Sequence, residues 1–250
     1  IEYGASRGML FVAAAGNDAN DNDNFATYPA SYESDAIVAV AATDHADGMA
    51  FFSSYGATTV DLGAPRVNIL STVAGGAYDS FSGTSMATPH VAGVAALLKA
   101  RYPDASLYGL KALLLRSVDP VPSLAGKTAT GGRLNAFTAA SCDDAPKLWL
   151  GSPSPGFVAT VGEALPITVL ASDCASPAGV ANVSVTVNGS PVAVTAASPD
   201  RGLYRASHTA PAVGPVTVTA ELTVGGETVT QTVSGTATLN YVCADVPLSW

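Results

Sequence analysis

Charged residues are scarce in this sequence, and basic residues are the scarcest of them. Only 12% of the 250 residues are charged, and 11 Lys and Arg stand against 20 Asp and Glu, which gives a formal net charge of -9. Proteins that bind nucleic acid neutralise phosphates with clustered basic side chains, so this balance argues against a nucleic-acid partner. The 48% of hydrophobic residues is ample for a folded core.

Long apolar runs are also missing. No run approaches the ~20 residues that a helix needs to cross a bilayer, and the start of the chain lacks the basic and apolar segments of a secretion signal. The chain opens instead with IEYGASRG, which indicates the end of a helix, and MLFVAA, which indicates a buried strand. Because a domain rarely begins at such a point, we expect further sequence upstream.

Cysteine is rare as well, with three residues in the chain. Cys142, Cys174 and Cys243 form no CxxC pair and have no histidine pair nearby in the sequence, which argues against a metal site. One disulfide with one remaining thiol is typical of a secreted protein, and three inert core thiols are the alternative. The sequence leaves the pairing open.

Up to about residue 140, apolar strands alternate with helical patterns. The runs MLFVAAAG and AIVAVAATD are almost continuously apolar, as expected of parallel strands that are covered on both faces. A helix is predicted from Met86, with Pro89 in its first turn, and a second helix is predicted with Asp104 or Ser106 as its N-cap. This alternation predicts an α/β fold.

Beyond a stretch rich in Pro, Ser and Gly, threonine and valine alternate, which is typical of half-buried strands. Asn188-Gly189 and Gly225-Gly226 interrupt these runs and predict tight hairpins. Regular short strands separated by turn residues predict an antiparallel sandwich of immunoglobulin or fibronectin-III type. We therefore expect an α/β domain over residues 1–141, a linker over 142–156 and an all-β domain over 157–250.

The segment FSGTSMATPHVAG places Ser85 near the start of the first predicted helix. A serine hydroxyl becomes a nucleophile when a base removes its proton and hydrogen-bond donors stabilise the oxyanion that forms. The unpaired N–H groups of a helix start are such donors. Asn17 follows the strand in FVAAAGN, at the carboxyl end of a strand where ligands bind in open α/β sheets. It is the candidate second donor.

These residues carry a resemblance to a known family. GTSMATPHVAG resembles the active-serine motif of the subtilisin-like serine proteases, the subtilases, and AAAGN resembles their oxyanion segment. YPASY, FSSYG and GGRLNAFTA also fit in the family's order, so the resemblance covers about residues 1–140. It implies the C-terminal part of a subtilisin-like parallel-sheet domain, with Ser85 as the nucleophile and Asn17 as the oxyanion donor. It further implies hydrolysis of peptide bonds in protein or peptide substrates, without a cofactor for the chemistry.

The other two members of the family's catalytic triad are not found. The resemblance requires an Asp and a His, each in its own motif, upstream of Ser85. His45 lies in a polar loop without such a motif, His90 is a packing residue by the resemblance, and His208 is predicted on a surface strand. We therefore expect a truncated and inactive fragment of an extracellular, secreted subtilase. The alternative is a surface adhesion or binding protein with a vestigial protease domain.

The resemblance also implies part of a substrate pocket. One wall would include Ala14, Ala15 and Gly16, whose small size leaves room for the substrate residue before the scissile bond. Asp18 beside this wall would favour a basic substrate side chain.

Two patterns suggest a structural calcium ion. Asp18, Asn20 and Asn22 match part of the start of an EF-hand loop, but the sixth-position Gly and the final Glu are missing, which favours a plain polar loop. Independently, the family resemblance implies a cation site.

The ligands of that second cation site would be the backbone carbonyls of Ala30 and Tyr32 and the carboxylate of Asp44. The alternative for Asp44 is a simple turn residue. In the all-β domain, Trp149, Trp250 and Tyr204 are candidates for a binding face, with core or linker packing as the favoured interpretation. The role of this domain is left open between stabilisation, substrate positioning and attachment to a surface.

Overall fold

The computed structural model describes residues 1–141, 146–173, 182–198 and 202–239. The three cysteines and Trp250 lie outside these ranges, so the predictions made for them are not addressed by the structure.

A parallel sheet forms the centre of the first part of the chain. β1, β2, β3 and β7 run parallel in that order, and the short β6 pairs antiparallel with β7, as the α/β prediction requires. All residues of β2 are buried, which confirms the prediction of a strand covered on both faces. A separate hairpin is formed by β4 and β5. The strands are β1 (Phe11–Ala14), β2 (Ile37–Thr43), β3 (Leu62–Pro65), β4 (Ile69–Val73), β5 (Ala77–Phe81), β6 (Asp119–Pro120) and β7 (Gly132–Arg133).

Helices pack on this sheet and close its core. The apolar contacts between them include Val40 and Leu62 of the sheet, Leu98 of α2 and Leu113 of α3. Ser106 is the N-cap of α3, and its hydroxyl accepts a hydrogen bond from the Gly109 N–H at 3.0 Å. Ser106 is one of the two residues predicted for this cap. The helices are α1 (Glu2–Ser6), α2 (Thr84–Arg101), α3 (Leu107–Arg116) and α4 (Ala136–Ser141), with a 3-10 turn at Pro122–Leu124.

The helix α2 begins two residues before the predicted start. Pro89 therefore lies in its second turn, not in the first turn as predicted. Since proline has no N–H, it offers no donor to the carbonyl of Ser85, four residues earlier. The prediction failed because the start of α2 is fixed by a contact with a distant loop, described below.

The second part of the chain is a sandwich of two sheets. One sheet has the order β13-β14-β10-β8, and the other has the order β12-β11-β15-β16-β9. Their facing side chains form one apolar core, with Ile167 and Val169 from the first sheet and Val218 and Leu222 from the second. The strands are β8 (Lys147–Ser152), β9 (Val158–Thr160), β10 (Ala164–Ser172), β11 (Val183–Val187), β12 (Ser190–Val192), β13 (Val194–Ser198), β14 (Leu203–Thr209), β15 (Gly214–Val224) and β16 (Glu227–Thr238).

Both predicted hairpins of the sandwich are confirmed. Asn188 and Gly189 connect β11 to β12, and Gly225 and Gly226 connect β15 to β16, with all four residues at positive φ. One part of the predicted linker belongs to a sheet instead, because Leu148 and Leu150 alternate into the sandwich core and make Lys147–Ser152 an edge strand.

Within the described ranges, none of the helices combines the length and the apolar character that crossing a bilayer requires.

Candidate active site

Asn17 lies just beyond the carboxyl end of β1, and a distant residue fixes its side chain. The Asn17 Oδ1 atom accepts hydrogen bonds from the backbone N–H of Thr84 at 2.9 Å and from the Thr84 hydroxyl at 3.1 Å. Because both contacts use the oxygen, the Nδ2 group of Asn17 is left free to donate, and it has no acceptor among the described residues. Asn17 also acts as the cap of α2, since Gly83 at the N-cap position has no side chain that could do so.

Ser85 is the second residue of α2 and is exposed. The neighbouring Met86 N–H donates to the Gly83 carbonyl at 2.8 Å, whereas the Ser85 N–H has no acceptor in the described part of the chain. The Asn17 side chain is therefore hydrogen-bonded to Thr84, the residue directly before Ser85, at the positive end of the α2 dipole. The structure thus brings the two residues predicted for the active site together, although they are 68 positions apart in the chain.

Gly83 lies directly beside the Asn17 amide. A Cβ atom at position 83 would lie 3.6 Å from the Asn17 Nδ2 and 3.8 Å from the Met86 Sδ, so a larger side chain would enter the space beside the amide.

Thr84 is a functional candidate that the sequence reasoning missed. It is fully buried, and its hydroxyl accepts a hydrogen bond from the Gly16 N–H at 3.3 Å while it donates to Asn17. Thr84 therefore orients the amide of Asn17 and joins the loop after β1 to the start of α2. The signal available in the sequence was its position between Gly83 and Ser85, but its partner is visible only in three dimensions.

The three residues predicted to line the substrate pocket differ in accessibility. Ala15 is fully buried against Ala41 and Val60, so its side chain is closed to a substrate. Ala14 and Gly16 are half-buried and remain candidates. Gly16 has φ +112°, and a Cβ there would lie 3.1 Å from the Ser54 hydroxyl, so the backbone needs glycine at this point.

The acidic loop after Asn17 is held in place by hydrogen bonds to protein groups. Asn22 is buried, its amide donates to the Ala15 carbonyl at 2.8 Å, and its oxygen accepts from the Thr27 hydroxyl at 3.0 Å. This use of both atoms by protein partners disfavours the EF-hand alternative. Over the described ranges, no three His, Cys, Asp or Glu side chains gather closely enough to hold a metal ion.

The second predicted cation site, with Ala30, Tyr32 and Asp44 as ligands, does not fit the structure. Ala30 packs with Ala39 and the first residue of β2, whereas Asp44 follows the last residue of that strand. At about 3.3 Å per residue, Asp44 lies roughly 16 Å beyond Ala39. The Tyr32 carbonyl already accepts from the Ser34 N–H, and the Asp44 carboxylate accepts from two N–H groups of its own turn. Asp44 is thus a turn residue, which was the alternative to its being a cation ligand.

No histidine of the chain is paired with Ser85 in the described structure. His45 is exposed in the loop after β2, and His208 is a half-buried residue of β14. The His90 Nδ1 lies 2.8 Å from the Met86 carbonyl one turn earlier on α2, as expected of a packing residue. Among the described residues, no histidine is therefore placed to act as a general base for Ser85.

The Asp23 carboxylate ties the loop after Asn17 to the turn at residues 58–59, where it accepts hydrogen bonds from the N–H and hydroxyl groups of Thr58 and Thr59 at 2.7 to 3.2 Å. Burial raises the pKa of Asp23, but these hydrogen bonds outweigh it and the pKa lies below the usual value. A depressed carboxyl pKa stabilises the fold above the unfolded-state value near 4, and this contribution is lost as the pH falls through the folded-state pKa.

We expect Asp23→Asn to lower the free energy of unfolding at pH 7 by about 1 kcal/mol, allowing for the exposure of the carboxylate. The difference from the unsubstituted protein should shrink below pH 4. Urea unfolding at pH 7 and pH 3 measures both values, with Asp18→Asn in the same loop as the control. An equal difference at the two pH values would contradict the assignment.

The first part of this chain is similar to known proteins. The model of the Subtilase family matches residues 1–140. Thermitase from Thermoactinomyces vulgaris is 43% identical over 139 residues, which cover 56% of this chain and 47% of thermitase. The thermostable alkaline protease of Halalkalibacterium halodurans is 53% identical over 97 residues, which cover 39% of this chain and 25% of that protein.

Two solved structures are also similar to this chain. A protease structure from Pseudoalteromonas arctica superposes with a TM-score of 0.51 and 31% identity, covering 56% of this chain and 44% of that one. A subtilase cytotoxin structure superposes with a TM-score of 0.50 and 32% identity, covering 53% of this chain and 48% of that one. The chain spans between a quarter and about half of the length of these relatives. Since the family model covers more than half of the chain, this protein belongs to the subtilase family.

Proposed function

We propose that this chain carries the nucleophile and the oxyanion site of a serine endopeptidase. The observation that supports this most is that Thr84, the residue directly before Ser85, binds the oxygen of Asn17 and leaves its Nδ2 group free to donate. The named curated relatives are proteases, which favours this proposal over a binding protein with a vestigial protease domain.

In the proposed reaction, the Ser85 Oγ attacks the carbonyl carbon of a peptide bond. The negative charge that develops on the carbonyl oxygen accepts hydrogen bonds from the Ser85 N–H and the Asn17 Nδ2. Collapse of this intermediate breaks the C–N bond, the amine leaves with a proton from the general acid, and water then hydrolyses the acyl group on Ser85. Both donors are neutral and are already held in place, so they need little reorganisation as the charge develops.

The proton of Ser85 must pass to a base. We propose that this base and its orienting carboxylate are supplied by residues outside these 250. The pairing of His90 with the Met86 carbonyl and the exposure of His45 support this proposal. We also propose an extracellular location, peptide or protein substrates, and an immunoglobulin or fibronectin-III type for the sandwich.

The test compares this chain with the protein at its natural length. A fluorophosphonate that labels activated serines should react rapidly with the natural-length protein at Ser85, and a fluorogenic peptide should be cleaved. The 250-residue chain, in whose described part no histidine is paired with Ser85, should show neither activity. Rapid labelling of the chain alone would contradict the proposed origin of the base, and an unreactive Ser85 in the natural-length protein would contradict the proposed function.

A further inference from the structure

The outer face of one sandwich sheet is apolar, which is unusual for a face that should meet solvent. Side chains alternate along β10 and β14, so Val169 and Tyr204 point into the sandwich core while Leu170 and Leu203 point away from it. Leu170 and Leu203 are nevertheless almost completely buried. Trp149 on β8 points the same way and is half-buried.

The other sheet of the same sandwich shows what a solvated outer face looks like in this protein. Its outward residues on β15 and β16 are mainly threonines, and two cross-strand pairs, Thr219–Thr232 and Thr223–Thr228, join their hydroxyls at 3.0 Å. The contrast indicates that the sheet containing Leu170 and Leu203 is built to be covered on both faces.

The cover is helix α3 of the α/β part. Its Ala112 packs with Leu170 and Leu203, and its Tyr108 adds to the same cluster. The opposite face of α3, with Leu110, Leu113 and Leu114, enters the core of the parallel sheet. A surface helix normally keeps a polar face for solvent, but α3 is apolar on both sides because it lies between two sheets.

We call the interface between α3 and the outer face of β10 and β14 the seam. Two polar contacts connect it to the parallel sheet. The Lys111 ammonium group of α3 is buried, donates to the carbonyl of Ile37 and lies 3.4 Å from the Asp61 carboxylate. Arg205 of β14 pairs with Asp35, just before β2, at 2.9 Å. A cleft of about 660 Å³ opens beside the seam, and Ser85 and Asn17 are not among its lining residues.

These contacts place the sandwich at the amino end of the parallel strands. Ile37 is the first residue of β2, whereas Asn17 follows the carboxyl end of the neighbouring β1. The seven residues of β2 span roughly 20 Å, so the seam and the site around Ser85 are at opposite ends of the sheet.

We infer that the β-sandwich is a fixed structural layer of this protein, which holds α3 against the parallel sheet from the side opposite Ser85. It is neither a tethered module nor a wall of the substrate cleft. The α/β part and the sandwich therefore unfold together, and disturbing the seam destabilises the parallel sheet.

Gly109 offers a direct way to disturb the seam. It lies within α3, and a Cβ atom there would be 3.4 Å from the Ser172 hydroxyl of β10, so a leucine would push the two layers apart. Gly93, within α2, has nothing within 4 Å of its Cβ position and is exposed. Gly109→Leu and Gly93→Leu make the same change within a helix, and the second is the matched control.

Calorimetry of the 250-residue chain should show one unfolding transition. Gly109→Leu should lower its midpoint by about 5 °C or more, or split it in two, while Gly93→Leu leaves it unchanged or raises it. Hydrogen exchange on the unsubstituted chain tests the same point if Gly109→Leu does not fold, because the most protected amides of α3, β2 and β10 should exchange with one common free energy. Separate transitions for the two parts of the unsubstituted chain, a transition unaffected by Gly109→Leu, or clearly different protection of β2 and β10 would overturn the inference.

Discussion

Ser85→Ala is expected to abolish peptide hydrolysis by the protein at its natural length while leaving its folding intact. Ser85 is exposed, and its hydroxyl makes no hydrogen bond within the described residues, so alanine removes the nucleophile without disturbing packing. In subtilisin, a member of the same family, loss of the nucleophile lowers kcat about 10⁶-fold, and we take that value over from subtilisin without deriving it. The measurement is the initial rate on a fluorogenic peptide, together with the unfolding midpoint.

Ser80→Ala is the matched control for this prediction. Ser80 is an exposed serine of β5, a few residues before α2, and it should tolerate alanine with unchanged kcat and KM. A Ser85→Ala variant that keeps more than about one hundredth of the activity would mean that another group attacks the substrate.

Asn17→Ala is expected to lower kcat by about 10²–10³-fold with little change in KM. The oxyanion exists only in the transition state and the intermediates, so a donor aimed at it contributes little to binding of the ground state. This magnitude is again the one known for the corresponding residue of subtilisin, and we carry it over. Steady-state kinetics with the natural-length protein separate the two parameters.

Variants of Thr84 give a second test of the role of the Asn17 amide. Thr84→Val keeps the shape of the side chain but removes the hydroxyl that holds the Asn17 oxygen, so we expect a smaller fall in kcat, whereas Thr84→Ser should retain most of the rate. Asn24→Ala, the same change at an exposed asparagine of the same loop, is the control. A rise in KM with kcat unchanged in Asn17→Ala would assign the amide to substrate binding instead.

Much of the fold followed from local sequence. The run AIVAVAATD predicted a strand buried on both faces because no polar residue interrupts it, and β2 is buried throughout. The positive-φ residues of Asn188-Gly189 and Gly225-Gly226 predicted the two hairpins because few other residues adopt that backbone conformation. The proximity of Asn17 to Ser85 followed from the rule that ligands bind at the carboxyl ends of parallel strands, together with the family resemblance.

Features that depend on distant partners were not predictable in this way. The start of α2 was misplaced because its cap is the distant Asn17, while the N-cap position itself is Gly83, which has no side chain. The cation site with Asp44 was wrong because a motif does not show that its parts lie at opposite ends of one strand. Trp149 was assigned to either a binding face or packing, and only the position of α3 shows that it packs.

The measurement that tests the account most directly is a crystal structure of the natural-length protein with a phosphonate bound covalently to Ser85. We expect the phosphonyl oxygen to lie about 3 Å from both the Asn17 Nδ2 and the Ser85 backbone nitrogen, with the Asn17 oxygen still hydrogen-bonded to Thr84. A phosphonyl oxygen that points away from Asn17, or an Asn17 side chain turned away from Ser85, would contradict it.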